Sequence, residues 1–313
     1  MKSISTKGMS REDWLALRRN GIGGSDAAAV LGLSRWKSPF SVYCDKIGLG
    51  EDTTSTVMEM GNILEPYVAD LFTKESGLKV TRRNMMFISD EHPCMVANID
   101  RAVLHDKAGL ECKTTTKYNR SGWDEGEIPP EYYWQCMHYM AVLGLDHWYL
   151  AVLFRDTGAF KWFKIERDGT EIAKLIEAEE AFWQLVVKRT PPPTSGLESE
   201  TEELSEMYPA STVNGETADL SEVYTDLGYR AIIQDEIAKQ KKVVEAIDQK
   251  VKRLMGSNQY GQAGEYVVSW PAYQKCEIDR DKLRTEYPQV FAAVSSMTDY
   301  RRMTIKKLKE AKA

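Results

Sequence analysis

The chain has 313 residues, with 41 Lys and Arg against 47 Asp and Glu, a net charge of −6 and an apolar fraction of 42%. That length holds one large domain or two smaller ones around a packed core. No run of ~18 apolar residues occurs and Met1 to Lys7 lacks a signal-peptide core, so neither a membrane span nor export is expected and a cytoplasmic protein is.

The five cysteines, Cys44, Cys94, Cys112, Cys136 and Cys276, contain no C-x-x-C pair, and the four histidines no H-E-x-x-H. This argues for reduced thiols and against zinc or an iron–sulfur cluster. The acidic balance does not exclude DNA, because non-specific binding depends on a local basic track rather than on net charge. Part of the acidity is segregated: Glu198 to Asp226 carries nine acidic residues and no Lys or Arg.

In chain order, Ser10 and Asp13 read as a capping box opening a first helix. Gly21, Gly23 and Gly24 read as a flexible turn, with Ser25 the N-cap of a second helix, Asp26 to Leu31. Such a turn offers backbone N–H groups to an anion, and Arg18 adds a planar cationic fork suited to phosphate. The plainer reading is a helix–turn–helix without a ligand. Ser38 and Pro39 open a third helix. A longer helix spans Thr56 to Gly77, with Leu64, Val68, Leu71 and Phe72 as its buried stripe. Glu65, beside that stripe and read as near the helix start, is either a surface glutamate favoured by the dipole or a carboxylate leaning over a site.

Strands follow near Leu78–Ser89, Met95–His105 and Ala108–Thr115. Asp100 closes the run from Val96, and Glu111 and Lys113 lie two apart on the next strand, so they share a face that Cys112 does not. Two carboxylates can hold a hard divalent cation, and an ammonium beside them can steer water or steady a phosphate charge. This is the D-(x~10)-E-x-K arrangement of the PD-(D/E)xK nucleases. By itself it is equally an ion pair at a strand end. An aromatic helix, Glu131–Leu143, carries Gln135 among apolar residues, where its amide needs partners. His138 reads as structural. Strands at His147–Arg155 and Gly158–Glu166 and a helix at Asp168–Lys188 complete an order that fits a mixed sheet flanked by helices.

Pro191 to Pro193 end this domain. The expected organisation is a nuclease-like domain over 1–190, an acidic linker over 191–227 and an accessory unit over 228–313. In that unit Ile233, Ile237, Val244, Ile247, Val251 and Leu254 follow a 4-3 heptad seam, with Gln240 filling one position. Lys239, Lys241, Lys242, Lys250, Lys252 and Arg253 make its other faces basic. Gly256–Gly264 reads as a turn region, Glu265–Trp270 and Ala272–Ile278 as a hairpin, and Asp279 as the cap of a short helix. The tail with Arg301, Arg302, Lys306, Lys307, Lys309 and Lys312 is strongly basic. It reads equally as a DNA or partner contact and as a solvated end.

Five blocks in order carry a resemblance: L-R-x-x-G-I-G-G-S-D, G-x-x-x-E-P, N-I-D, G-L-E-C-K-T and Y-x-x-Q-x-x-H-Y-M, between Trp14 and about Phe163. They resemble the YqaJ-type viral recombinase family, relatives of phage lambda exonuclease. The resemblance implies an α/β PD-(D/E)xK (restriction-endonuclease-like) core, a mixed central sheet flanked by helices, here followed by a C-terminal unit with a long helix and a small hairpin. It implies that Glu65, Asp100, Glu111 and the Cys112 backbone carbonyl bind Mg²⁺, with Mn²⁺ substituting. Lys113 would activate or orient the attacking water, and Gln135 would hold that water or the phosphate. Arg18 and Ser25 match positions that bind a 5′-phosphate, with Arg35 and Lys37 adding to that pocket. The implied activity is a phage or prophage 5′–3′ exonuclease on linear duplex DNA, leaving a 3′ overhang for a RecT-like annealing protein. A homo-oligomer, on the pattern of a ring trimer, goes with it. Endonuclease or single-strand activity at the same site, and a non-catalytic scaffold, are the alternatives. One departure is Arg101, where many relatives have glycine; strand alternation points it away from Asp100.

Overall fold

The structure is a computed structural model that describes residues 2–49, 55–116, 122–123 and 127–307; Met1, Lys309 and Lys312 lie outside them. The chain divides into two compact units, one ending at Pro209 and one starting at Ala210.

The first unit is built on a five-stranded sheet. Its strands are β3 (Val80–Arg82), β6 (Arg101–Val103), β7 (Gly109–Thr115), β8 (His147–Phe154) and β9 (Phe160–Glu166), adjacent in that order. β7 and β8 are parallel and the other pairs antiparallel. β8 is buried on both faces. Trp148, Leu150, Val152 and Phe154 enter one apolar cluster and Tyr149, Ala151 and Leu153 another. Its sequence is therefore a continuous apolar run rather than an alternation. One face is covered by α4 (Thr56–Ser76), through Val68, Ala69 and Phe72. The other is covered by α5 (Pro130–Leu143), through Cys136, Met137 and Met140, with α6 (Gly169–Lys188) beyond it through Ile172 and Leu175. Each such large side chain removed from water contributes about 1.5–3 kcal/mol before conformational entropy is counted.

The run read as one strand from Met95 to His105 is two. β5 (Met95–Asn98) pairs with β4 (Met85–Ile88) and with β2 (Ile22–Gly23), in a second sheet ordered β1-β4-β5-β2, where β1 is Lys2–Ser5. The chain leaves this sheet at Ile99–Asp100 and enters the five-stranded one at Arg101. Asp100 therefore stands at a switch between sheets rather than at the end of a hairpin strand.

The glycine block also differs from expectation. None of Gly21, Gly23 and Gly24 has a positive φ. Gly23 is extended, pairs in β2 and is the N-cap of α2 (Gly24–Val30), so Ser25 lies inside the first turn instead of capping it. Small residues are required by packing. A Cβ at Gly21 would lie 2.7 Å from Val96 Cγ1, and one at Gly24 2.6 Å from the Tyr139 ring. The capping expectations at Ser10, Ser38 and Asp279 hold, each side chain accepting a backbone N–H in the first turn of α1 (Arg11–Arg18), α3 (Pro39–Ile47) and α9 (Arg280–Glu286). His138 is fully buried, with Nδ1 2.8 Å from Glu179 and Nε2 2.9 Å from the Val96 carbonyl, tying α5 to α6 and β5.

Within the stretch read as a linker, α7 (Ser199–Met207) packs on α3. Its Glu200 is buried and accepts the backbone N–H groups of Ser195, Gly196 and Leu197, and Ser41 donates to Glu203 at 2.9 Å. These specific bonds make part of the acidic stretch structural.

In the second unit the heptad segment lies in one 32-residue helix, α8 (Tyr224–Met255). The hairpin is β10 (Tyr260–Ala263) with β11 (Tyr266–Ser269), one strand earlier than expected. Gly264, at φ +59°, makes the turn, so the segment read as a turn supplies the first strand. Pro271 follows β11 and no strand occurs at 272–278. α9 is followed by α10 (Pro288–Val294). No described helix is long and apolar enough to cross a membrane.

Candidate active site

Strand alternation assembles the centre. On β7, Leu110 faces α4, while Glu111 and Lys113 face α5. Gln135, on the second turn of α5, donates to Glu111 Oε1 at 2.8 Å, and Lys113 Nζ lies 2.6 Å from the same oxygen. Asp100, at the sheet switch, accepts the Cys112 N–H at 2.8 Å through Oδ2. Of the Cys112 backbone, the structure thus shows the N–H engaged with a proposed ligand. Asp100, Glu111, Lys113 and Gln135 form one cluster.

Two side chains not anticipated from the sequence complete it. The Tyr139 hydroxyl accepts a second hydrogen bond from Gln135, at 2.8 Å, and Lys113 Nζ sits 5.1 Å from the centroid of the Tyr132 ring. Both tyrosines lie at i+4 or i−3 from Gln135, on one face of α5, and that spacing was the available signal. Tyr139 also touches α2 at Gly24, linking this cluster to the neighbourhood of Ser25.

The electrostatics are unbalanced. Burial, then the Glu111 charge, raise the Asp100 carboxyl well above its usual range, with Glu65 adding to this, while Lys113 and the Cys112 N–H oppose it. Burial alone would lower the Lys113 pKa, but the Glu111 and Asp100 carboxylates outweigh it and hold the ammonium charged. Glu111 Oε2 is buried and has no hydrogen-bond partner among the described residues. An unpaired buried carboxylate oxygen is costly. The donor set fits a hard divalent cation, which takes carboxylate oxygens. Among the described residues, however, no group of three or more His, Cys, Asp or Glu forms a ready cation cage.

Glu65, the third carboxylate expected at the site, is paired with Arg101. It lies in the interior of α4, directly before Pro66, so the dipole reading of a helix start does not apply. Arg101 pairs with Glu65 and donates to its own neighbour's carbonyl, Asp100 O, at 2.8 Å. Alternation does turn Arg101 away from the Glu111 face, but the face it turns to is the one α4 covers. The guanidinium that looked inconsequential in sequence thus occupies the carboxylate expected to join Asp100 and Glu111.

A second charged cluster surrounds α2. Arg18 donates to Ser25 Oγ and lies 3.6 Å from Asp26 and over the Trp14 ring. Asp26 is buried, accepts the Gly23 N–H at 3.1 Å and pairs with buried Lys46 at 2.7 Å. Burial by itself would raise the Asp26 pKa; the charges of Lys46, Arg18 and Lys37 outweigh it and hold it far below the usual range. Ser25 is exposed and Arg18 partly so. Arg18 and Ser25 are together, as expected. Arg35 and Lys37 have other direct partners: Arg35 lies 3.3 Å from Glu131 and over the Trp36 ring, and Lys37 pairs with Asp45 while its charge still reaches Asp26. Asp26 and Lys46, twenty residues apart, had no local pattern to mark them.

Three comparisons bear on these residues. The family described as the YqaJ-like viral recombinase domain matches residues 13–146, which contain every residue named in both clusters. Protein YqaJ of Bacillus subtilis (strain 168) is 36% identical over 305 residues, covering 96% of this chain and 95% of that one. Among solved structures, an alkaline exonuclease (LHK-Exo) from Laribacter hongkongensis aligns with a TM-score of 0.49 at 21% identity, over 63% of this chain and 99% of that one. A phage related exonuclease from Haemophilus somnus 129PT aligns with a TM-score of 0.43 at 14% identity, over 56% and 99%. With a full-length relative at that identity, and with the shared domain holding the carboxylate cluster, the chain belongs to the YqaJ-like viral recombinase family.

Proposed function

We propose that the protein is a Mg²⁺-dependent DNA exonuclease that hydrolyses one strand of linear duplex DNA from its 5′ end, leaving a 3′ overhang. The observation that carries this reading is the Glu111 carboxylate. It is buried beside Asp100, receives Gln135 and Lys113 on one oxygen and, among the described residues, keeps the other unpartnered. Asp100 and Glu111 would hold Mg²⁺, or Mn²⁺ in its place, with the Cys112 carbonyl and a Glu65 released by Arg101 as further ligands. When bound, a divalent cation supplies positive charge that polarises the scissile phosphate and acidifies water.

The chain's own groups do the rest. Lys113, held charged, orients the attacking water and offsets the charge that develops on the phosphate. Gln135 is anchored by Tyr139 and aims its amide at the Glu111 side of the reaction. Arg18 and Ser25 hold the 5′-phosphate of the strand being cut and so set direction. A closed ring of subunits, three on the lambda exonuclease pattern, would keep the enzyme on its strand until an end is reached. The overhang would pass to a RecT-like annealing protein.

The test is digestion of end-labelled linear duplex with Mg²⁺, carrying 5′-phosphate or 5′-hydroxyl ends, beside closed circles. Wild type should remove 5′ label, prefer phosphate and spare circles, and Lys113→Ala should abolish the loss. Arg18→Ala should keep Mg²⁺ affinity and lose the phosphate preference. Cutting of closed circles would replace this reading with an endonuclease, and equal digestion by wild type and Glu111→Ala would remove the enzyme reading altogether.

A further inference from the structure

The second unit carries its apolar residues outside. On α8, Ile233, Ile237, Val244, Ile247, Val251 and Leu254 recur at spacings of four and three, with Gln240 completing the row. At 1.5 Å per residue the row is about 33 Å long. Five of its apolar members are 41–71% exposed, and Val251 is half-buried. Three heptads of this spacing suit a partner that is itself a helix, because the seam follows a supercoil that a flat surface cannot track.

The flanking residues identify which helix. With Ile237, Val244 and Val251 as a positions and Ile233, Gln240, Ile247 and Leu254 as d, the flanking g positions are Glu236, Val243 and Lys250. The e positions that follow them are Lys241, Asp248 and Met255. Between two copies of α8 running parallel and in register, each g residue meets the next e residue of its counterpart. Glu236 then faces Lys241 and Val243 faces Asp248, while Met255 is already buried within its own unit, so one pair attracts and none repels. Lys239, Lys242, Lys252 and Arg253 stay on the outer face, in water.

Gln240 sets the direction. In a parallel, in-register pair it meets its own counterpart, and two amides satisfy each other. Antiparallel packing opposes a to d residues, which would press Gln240 against an aliphatic side chain and leave its amide only the Glu236 carboxylate of its own helix, 2.8 Å from Nε2, with its carbonyl unmatched. We propose that α8 docks on α8 of a second copy of this chain as a parallel, in-register coiled coil. This interface lies outside both charged clusters and does not depend on the nuclease reading.

The test uses the full chain. Light scattering across a wide concentration range should give an oligomer for wild type and a smaller species for both Val244→Glu and Ile247→Glu. Lys242→Glu, on the outer face, should keep the wild-type mass. In a Cys276→Ser background, Val244→Cys should form a disulfide-linked pair under mild oxidation and Gln249→Cys should not. A monomeric wild type, or a mass unaltered by the seam substitutions, overturns the interface. A mass that falls without cross-linking at 244 overturns the parallel register.

Discussion

Asp26 is a buried and Asp100 a half-buried aspartate of the first unit, and their surroundings push them in opposite directions. Asp26 has a cation on either side, Lys46 and Arg18, and a backbone N–H, and its carboxyl is held far below the usual range. Asp100 has carboxylates for neighbours, and burial with Glu111 drives it up. One cluster is complete as it stands. The other leaves a buried carboxylate oxygen without a partner among the described residues. On the proposed function, the buried network that leaves an acceptor open among the described residues, at Glu111 Oε2, is where chemistry would be done, and the closed network would position.

The largest test of that contrast is Lys113→Ala. If the open cluster is catalytic, turnover should fall by about 10²–10⁴ for loss of a positioned group, and stability should fall as well, because Glu111 and Asp100 lose the cation that offsets them. Single-turnover digestion and thermal unfolding of the same preparation separate the two effects. Asp26→Ala should act on stability and not on turnover. Removing one partner of a buried ion pair leaves Lys46 uncompensated and should cost about 3–5 kcal/mol of stability. Because the folded Asp26 pKa is depressed, its contribution is complete above the unfolded value of about 4 and is lost as pH falls through the folded value. Urea unfolding of Asp26→Ala against pH should therefore show a shallower acid limb than wild type. An unchanged acid limb would deny the closed cluster its structural role.

Metal addition comes next in size. A ligand at a hundred times its Kd that binds only the folded state stabilises by about 2.7 kcal/mol. Mg²⁺ should raise the wild-type melting temperature, chelation should reverse it, and Glu111→Gln should melt higher than wild type without metal while losing the Mg²⁺ response. A Mg²⁺ response that survives in Glu111→Gln would move the cation to other ligands.

The comparison also separates what the sequence makes legible. Asp100, Glu111, Lys113 and Gln135 could be read because strand alternation and helical spacing are local rules, and β7 and α5 obey them. The break at Ile99–Asp100 could not be read: the apolar run continues through it, and only the pairing of β5 in one sheet and β6 in another reveals it. The glycines were recognised but given the wrong physical reason. Backbone freedom is a property of a residue, whereas the close approach of Val96 and Tyr139 is a property of the packed fold. Lys46 was invisible for the same cause, its partner lying on another helix. Glu200 falls in the stretch read as an acidic linker because its backbone donors, though adjacent in sequence, meet it only in the turn that opens α7.

Arg101 is the residue whose direction alternation gives and whose partner, Glu65, it does not, and it yields the smallest expected effect. Its guanidinium pairs with Glu65 at the edge of the open cluster, so it cancels one of the negative charges a cation would use. Replacing it with alanine should raise the affinity for Mn²⁺ about tenfold, the equivalent of roughly 1.4 kcal/mol from one partly screened charge. The readout is direct titration of the metal-free protein by Mn²⁺ paramagnetic resonance, with no DNA present. Arg101→Lys, which keeps the charge without the planar fork, should bind Mn²⁺ like wild type. Glu65→Gln should weaken binding in the wild-type background and cancel the gain when combined with Arg101→Ala. An affinity indifferent to Arg101→Ala would mean that Glu65 is not a ligand, leaving Asp100 and Glu111 as the carboxylates that hold the ion.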